Sequence, residues 1–178
     1  MVIRNATITD LDDVLRVERE AFGEEDEARL VDDLLKDPSA QPALSLLAFD
    51  DGDNAVGHIL FTRATLDPAS NMSVVILAPL AVVPGSQRQG IGGALIKQGL
   101  EALRTTGVDL VFVLGHPGYY PRYGFEPAMK HGFTPTYAIP EKDADAWMVQ
   151  ALRAGALEEG QGRAVCADAL DKPEYWRE

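Results

Sequence analysis

Gln87-Arg88-Gln89-Gly90-Ile91-Gly92-Gly93 joins the most apolar run of the chain, Ser73 to Val83, to an amphipathic stretch that begins at Gly90. Pro84-Gly85 turns the chain after Val83. Leu95, Ile96, Gly99, Leu100 and Leu103 then recur at helical spacing as far as Thr106, and Gly107 supplies the stop. The junction is a strand end feeding a helix start. The first turn of a helix carries free N–H groups and about half a positive charge from its aligned peptide dipoles. Glycines at 90, 92 and 93 leave that backbone bare, and Arg88 sets a cation beside it. Such a segment holds an anion, and phosphate fits a bare helix N-terminus.

Pro79 lies inside the apolar run. Proline removes a ladder hydrogen bond and belongs at edges or bulges, so in the middle of this strand it predicts a bulge in mid-sheet. Downstream, Asp109 to Leu114 reads as a buried strand, and the order strand–helix–strand implies a right-handed crossover and a parallel pair. Upstream, residues 1–6 read as a first strand. Thr9 or Asp10 caps a helix to about Phe22, with Leu11, Val14, Leu15 and Ala21 on its apolar face. A second helix, Asp26 to Lys36, stops before Pro38. Leu44 to Phe49 and Ala55 to Leu66 are strands joined by the hairpin turn Asp50-Asp51-Gly52-Asp53-Asn54. Residues 115–135 are irregular and rich in Gly, Pro and Tyr, Asp145 to Leu152 is a late strand, and residues 153–178 are weakly patterned. The expected fold class is α/β: one domain over residues 1–178, a mixed central sheet with flanking helices, and residues 153–178 as a C-terminal extension.

A chain of 178 residues with 46% hydrophobic and 25% charged residues is ordinary for a soluble globular domain. The single cysteine, Cys166, excludes an internal disulfide framework and suits a reducing compartment. Met1-Val2-Ile3-Arg4-Asn5 lacks the pattern of a secretory signal, and no apolar run approaches the roughly 20 residues that span a bilayer. A cytoplasmic, soluble protein without membrane partners is expected. The formal net charge of −12 argues against nucleic acid as a partner. It also repels an anionic ligand, so a phosphate site in this chain needs its own local positive field.

Three phosphate motifs compete for the loop. The nucleoside-triphosphate pattern GxxxxGK[ST], started at Gly85, lacks its lysine because Ile91 and Gly92 follow Gly90. The dinucleotide pattern GxGxxG lacks its third glycine, with Leu95 in that place. Gln/Arg-x-x-Gly-x-Gly/Ala fits, through Gln87, Gly90 and Gly92. On these residues the chain resembles the GNAT superfamily of N-acetyltransferases. Leu80-Ala81-Val82-Val83-Pro84 followed by Gln87 through Leu95 looks like that family's cofactor motif. Gly57-His58-Ile59-Leu60-Phe61, Leu114-Gly115-His116-Pro117 and Tyr119-Tyr120-Pro121-Arg122-Tyr123-Gly124-Phe125 resemble a subgroup of predicted, mostly uncharacterised bacterial acetyltransferases. The similarity covers roughly residues 1–152.

The resemblance implies a sheet splayed at a bulge, with acetyl-CoA as the acyl-donor cosubstrate. The backbone of Leu80, Ala81 and Val82 is expected to hydrogen-bond pantetheine in the opening. The segment Gln87, Arg88, Gln89, Gly90, Ile91, Gly92, Gly93 and Ala94 is expected to hold the pyrophosphate. A freed N–H near Leu80 or Val82 would polarise the thioester carbonyl. The tyrosine of Tyr-x-x-x-Gly-Phe, here Tyr120, matches the family position for the general acid to the departing thiolate, with Tyr119 and Tyr123 as structural neighbours. The stretch Gly115-His116-Pro117-Gly118 is shorter than in many family members, which carry an asparagine and a longer helix there.

The base is read from the residues themselves. Helical spacing puts Glu18 on the apolar face of the first helix among Leu11, Leu15 and Phe22, where a carboxylate is unusual and is raised in pKa unless paired. Two readings stand: Glu18 as base or amine anchor, and Glu18 in an ion pair with Arg4, Arg63 or another cation. His58 faces either side of its strand, and His116 is a candidate relay beside the site. No cluster has metal-ligand spacing, so no metal is expected, and Cys166 is expected to be inert. The acceptor is a small amine or a peptide amine of unknown identity. An apolar edge strand near Trp147–Val149 offers a surface for a homodimer. The alternative function is a non-catalytic acyl-CoA-binding or sensor domain.

Overall fold

The computed structural model describes residues 1–177. The chain runs β1 (Val2–Asn5), α1 (Leu11–Phe22), α2 (Asp26–Lys36), β2 (Leu44–Phe49), β3 (Ala55–Asp67), β4 (Val74–Val82), α3 (Ile91–Thr105), β5 (Leu110–Leu114), β6 (Glu126–Pro127), β7 (Phe133–Thr134), β8 (Trp147–Ala151), α4 (Ala156–Glu159) and β9 (Gly162–Val165). The sheet order is β1-β2-β3-β4-β5-β8-β6. Neighbours along it are antiparallel except β4 and β5, the parallel pair expected on either side of α3. The architecture is the mixed α/β sheet with flanking helices that the pattern implied.

Alternation along β3 divides the layers. Gly57, Ile59 and Phe61 face α3, whose stripe Leu95, Ile96, Gly99, Leu100 and Leu103 is buried. His58, with its neighbours of the same parity, faces α1. The Phe61 ring sits in a notch cut into α3 at Gly99, where a Cβ would run into the ring. Gly57 has a matching reason to lack a side chain, since a Cβ there would lie 2.9 Å from Ile91. Helix and sheet approach closely because each lacks a side chain where the other projects one.

The entry to α1 differs from the expected cap. Asp10 precedes Leu11, but its carboxylate turns back to accept from the Thr7 N–H at 2.7 Å and from the Arg4 guanidinium at 2.8 and 3.0 Å. That guanidinium holds the Asp10 carboxyl well below the usual carboxylate range. The helix is thereby anchored to β1 rather than capped by its own aspartate. Its buried stripe is Val14, Val17 and Glu18, with Leu11, Leu15 and Ala21 half-buried at its margins.

Residues 153–177 are built into the domain. Strand β9 pairs with Thr65–Asp67 of β3, the Ala169 N–H donates to Asp37 at 2.9 Å, and the Trp176 ring packs edge-on to Trp147 at 5.6 Å. The weak pattern reflects short elements, not a loose tail. Strand β8 is also not the expected edge. It lies between β5 and β6, and fully buried Trp147 stacks on Phe112 at 5.1 Å. The apolar residues Trp147–Val149 therefore serve the core and present no dimer surface.

Gly99→Ala is expected to cost about 1–3 kcal/mol by overpacking against Phe61, read as a fall in Tm of about 2–4 °C per kcal/mol. An unchanged Tm would show that α3 moves freely off the sheet.

Candidate functional site

Pairing between β4 and β5 runs from Val74↔Leu110 to Leu77↔Val113 and ends there. Pairing between β4 and β3 continues, but its register jumps from Phe61↔Leu77 to Ile59↔Leu80. Ala78 and Pro79 together oppose Leu60, which is the bulge that Pro79 predicted. Beyond Leu77, β4 stays with β3 and parts from β5. The Val83 N–H donates to the Val56 carbonyl at 2.9 Å. Alternation in an antiparallel ladder then turns the Ala81 backbone toward β3 and the Leu80 and Val82 backbones toward the gap. Leu80 and Val82 thus present unpaired backbone edges to the gap, and Ala81, which was expected to do the same, faces β3 instead. The Val82 carbonyl already accepts from the Gln87 side-chain amide at 3.0 Å, which ties the glycine loop to the strand.

The loop reaches α3 through two left-handed residues, Arg88 at φ 62° and Gly90 at φ 83°. A non-glycine residue in that region costs about 1–2 kcal/mol. The first intrahelical bond is Ala94 N–H to the Gly90 carbonyl at 3.0 Å. Ala94 is therefore engaged, while the N–H groups of Ile91, Gly92 and Gly93 belong to the first turn and have no helical acceptor. A cavity of about 600 Å³ opens over them, lined by Leu80, Val82, Arg88 and Gly92 together with Tyr119 and Arg122. Arg122 and Arg88 provide the local positive field that an acidic chain needs. Arg122 went unnoticed in the sequence, although it stands inside Tyr-Pro-Arg-Tyr, where a basic residue between aromatics was the available signal.

The loop glycines answer to a second constraint. A Cβ at Gly92 would lie 2.7 Å from the Tyr119 hydroxyl, and one at Gly93 would run into the Tyr123 phenol. Tyr119 packs edge-on to Tyr120 and Tyr123, with centroids at 5.2 and 5.3 Å, and Tyr120 packs likewise on Phe125 at 5.7 Å. Gly115 in turn leaves room for the Tyr120 ring. This aromatic group closes the end of the gap. Burial alone pushes the Tyr120 hydroxyl up to about 12.

A second cavity, of about 640 Å³, opens where β4 leaves β5, between Leu77, Pro79, Val113 and Tyr120 and the α1–α2 connection. The two cavities share Leu80 and Tyr119. A third, of about 660 Å³ around Arg63 and Ser73 near the C-terminal end of α3, shares no residue with either. His116 lines the second cavity, with its Nδ1 accepting the Gly118 N–H at 3.0 Å. That bond leaves the ring proton on Nε2.

Glu18 lies elsewhere. It is fully buried between α1 and β3, its Oε2 is 2.7 Å from Nδ1 of equally buried His58, and His58 Nε2 is 2.8 Å from the Ser45 hydroxyl. Its partner is this histidine, not Arg4 or Arg63, and Glu18 lines neither of the two joined cavities. Burial pushes its carboxyl up and the His58 contact opposes the shift. Cys166 is buried and lines neither cavity, and burial raises its thiol to about 11.

The model of the acetyltransferase (GNAT) domain matches residues 2–128. YjhQ, an uncharacterised N-acetyltransferase of Escherichia coli strain K12, is 51% identical over 162 residues, covering 90% of this chain and 88% of the relative. The crystal structure of YhbS, a GNAT-family N-acetyltransferase from Escherichia coli in complex with CoA, superposes with a TM-score of 0.86 at 29% identity, over 96% of this chain and 92% of that one. A GNAT-family acetyltransferase from Brucella melitensis in complex with acetyl-CoA superposes with a TM-score of 0.75 at 29% identity, over 96% and 97%.

Two outcomes test this arrangement. Gly92→Ala is expected to lower Tm by pushing Tyr119 off the loop, and the added Tyr119→Phe, which removes the single close atom, restores it. If the double variant is no better than Gly92→Ala, the glycine is needed only for the ligand. Glu18→Leu leaves Nδ1 of the buried His58 without its hydrogen-bond partner and is expected to cost about 1–3 kcal/mol of unfolding free energy, measured in urea.

Proposed function

Because the chain belongs to the GNAT acetyltransferase family, we propose that it transfers acetyl from acetyl-CoA to a small amine or peptide amine by direct attack, with Tyr120 as general acid to the CoA sulfur. The observation that carries this reading is the pair of cavities that meet at Leu80 and Tyr119. One is lined by cations and a bare helix start, as a diphosphate requires. The other opens beside Tyr120 with room for an acceptor. A thioester drawn along the open edge of β4 stands between them.

The steps follow from the groups present. The diphosphate sits on the first-turn N–H groups of α3 with Arg88 and Arg122 beside it. Pantetheine adds as a strand to Leu80 and Val82, and the Leu80 N–H, turned toward the gap, donates to the thioester oxygen as charge builds there. A primary amine ionises at about 10.4 and attacks only after losing a proton to solvent. The new C–N bond forms, the nitrogen gives up its second proton, and the C–S bond breaks with its electron pair on sulfur. A thiol in water ionises near about 8.5, well below Tyr120. A thiolate between apolar walls is itself raised by burial, which brings donor and acceptor together. Tyr120 therefore stays neutral across the working pH range and yields its proton only as the sulfur leaves. Glu18, closed off with His58, holds α1 against β3 and takes no proton from the substrate.

Tyr120→Phe is expected to lower kcat roughly a hundredfold while the KM for acetyl-CoA stays within about twofold, in an amine-dependent thiol-release assay. Retention of kcat would reduce Tyr120 to packing. Arg122→Gln is expected to raise the KM for acetyl-CoA instead. An acceptor screen by mass spectrometry identifies the amine, and tight CoA binding with no product from any amine would favour a non-catalytic CoA-binding domain.

A further inference from the structure

The acceptor cavity contains a carboxylate that the transfer step has not yet used. Glu27 stands in the first turn of α2, and this turn, with the end of α1, forms one wall of the cavity facing Pro79 and Tyr120. Its Oε2 is enclosed and has no hydrogen-bond partner among the described residues. Burial pushes the Glu27 carboxyl up, the neighbouring carboxylates of Glu24 and Asp26 add to this, and its own backbone N–H opposes it. An enclosed carboxylate oxygen with no donor is costly, and native structures leave few of them. Glu27 as a whole is only partly buried, lines the cavity and forms no ion pair among the described residues, so a primary ammonium entering the cavity can donate to its carboxyl group.

The rest of the lining extends the same argument to the far end of the acceptor. Glu24, Asp26 and Glu174 also line this cavity, against the single guanidinium of Arg177. Asp26 is engaged at 3.5 Å with Arg29, leaving Glu24 and Glu174 as exposed carboxylates with no ion pair among the described residues. His116 adds no charge while its Nδ1 holds the Gly118 N–H. Leu30, Leu77 and Leu170 add apolar surface to the same lining. The cavity thus combines the Glu27 carboxylate and the Tyr120 phenol with apolar side chains and exposed carboxylates.

Resting on the acetyltransferase reading, we infer that Glu27 binds the acceptor's reacting nitrogen and takes its second proton, and that the acceptor is a primary amine carrying a further positive charge beyond an apolar spacer. The proton lost on forming the C–N bond passes to Glu27 and then to solvent. The sulfur leaves with the C–S electron pair and is protonated from Tyr120. Acceptors with a distal carboxylate are repelled at the rim.

The test uses three probes of equal chain length, butylamine, diaminobutane and aminobutyrate, with acetyl-CoA and the full-length protein. Wild type is expected to give kcat/KM for diaminobutane about tenfold or more above butylamine, a ratio typical of one added contact to a charged group, with aminobutyrate lowest. Glu27→Gln is expected to lower kcat/KM for diaminobutane roughly a hundredfold while the acetyl-CoA Kd by calorimetry and the Tm stay at wild-type values. Glu174→Gln, on the exposed rim, is expected to narrow the diaminobutane to butylamine ratio. Wild-type turnover that is indifferent to the distal charge, or undiminished in Glu27→Gln, overturns the inference and leaves the acetyltransferase reading standing. Failure of wild type with every amine, while acetyl-CoA binds, overturns that reading instead.

Discussion

Parallel pairing of β4 and β5 stops at Leu77 and Val113, and the function depends on that stop. Two strands about 4.8 Å apart leave no room for a ligand, and a buried ladder offers no free hydrogen-bonding groups. Proline at 79 cannot donate, and the two-for-one opposition of Ala78 and Pro79 to Leu60 bends β4 without detaching it from β3. One strand therefore carries both a sealed edge and an open one. The open edge costs unpaired backbone groups, which an extended ligand satisfies. Both cavities are consequences of the same break.

The N-terminus of α3 meets three demands with few atoms. It has to turn sharply from β4, expose its first N–H groups and accept the tyrosines that close the gap. Left-handed Gly90 meets the first, and bare Gly92 and Gly93 meet the other two together. A methyl group at either position would crowd the ligand and displace a phenol. Loop and aromatic cluster are therefore one unit, which couples donor binding to the position of Tyr119 and, through ring contact, to Tyr120.

Features with local causes were legible in the sequence. A proline inside an apolar strand has few structural explanations, and a helical stripe between two buried strands has one handed connection, so the bulge and the parallel pair followed from the residues. What stayed hidden depends on distant partners. Glu18 was recognisable as an odd carboxylate on an apolar face, but its partner His58 lies forty residues away on another element, and the periodicity of one helix says nothing of that. Trp147–Val149 was recognisable as an apolar strand but read as an edge, because the strand covering it, Glu126–Pro127, is two residues long and leaves no periodic trace. Arg122 and Glu27 acquire meaning only from which cavity they line. The glycines were rightly read as bare backbone, yet only one of the two reasons for their bareness was visible.

A chain with net charge −12 that takes an anionic donor must keep two fields apart. Charges in water lose most of their influence beyond about 8 Å at physiological ionic strength, so the bulk charge matters less than what lines each cavity. Arg88, Arg122 and the N-terminus of α3 line one cavity, the donor side on the proposed reading, whereas Glu24, Glu27 and Glu174 line the other, its acceptor side. The wall between them is Leu80 and the Tyr119 ring. Its low polarity keeps each field from being cancelled by the other, and it places the one bond to be exchanged where neither dominates. Opposite charge on the two sides then does what neither side does alone: it draws an anion and a cation to a common boundary. The acidity that makes the protein a poor host for phosphate in general thus favours the acceptor, provided the glycine loop supplies its own exception.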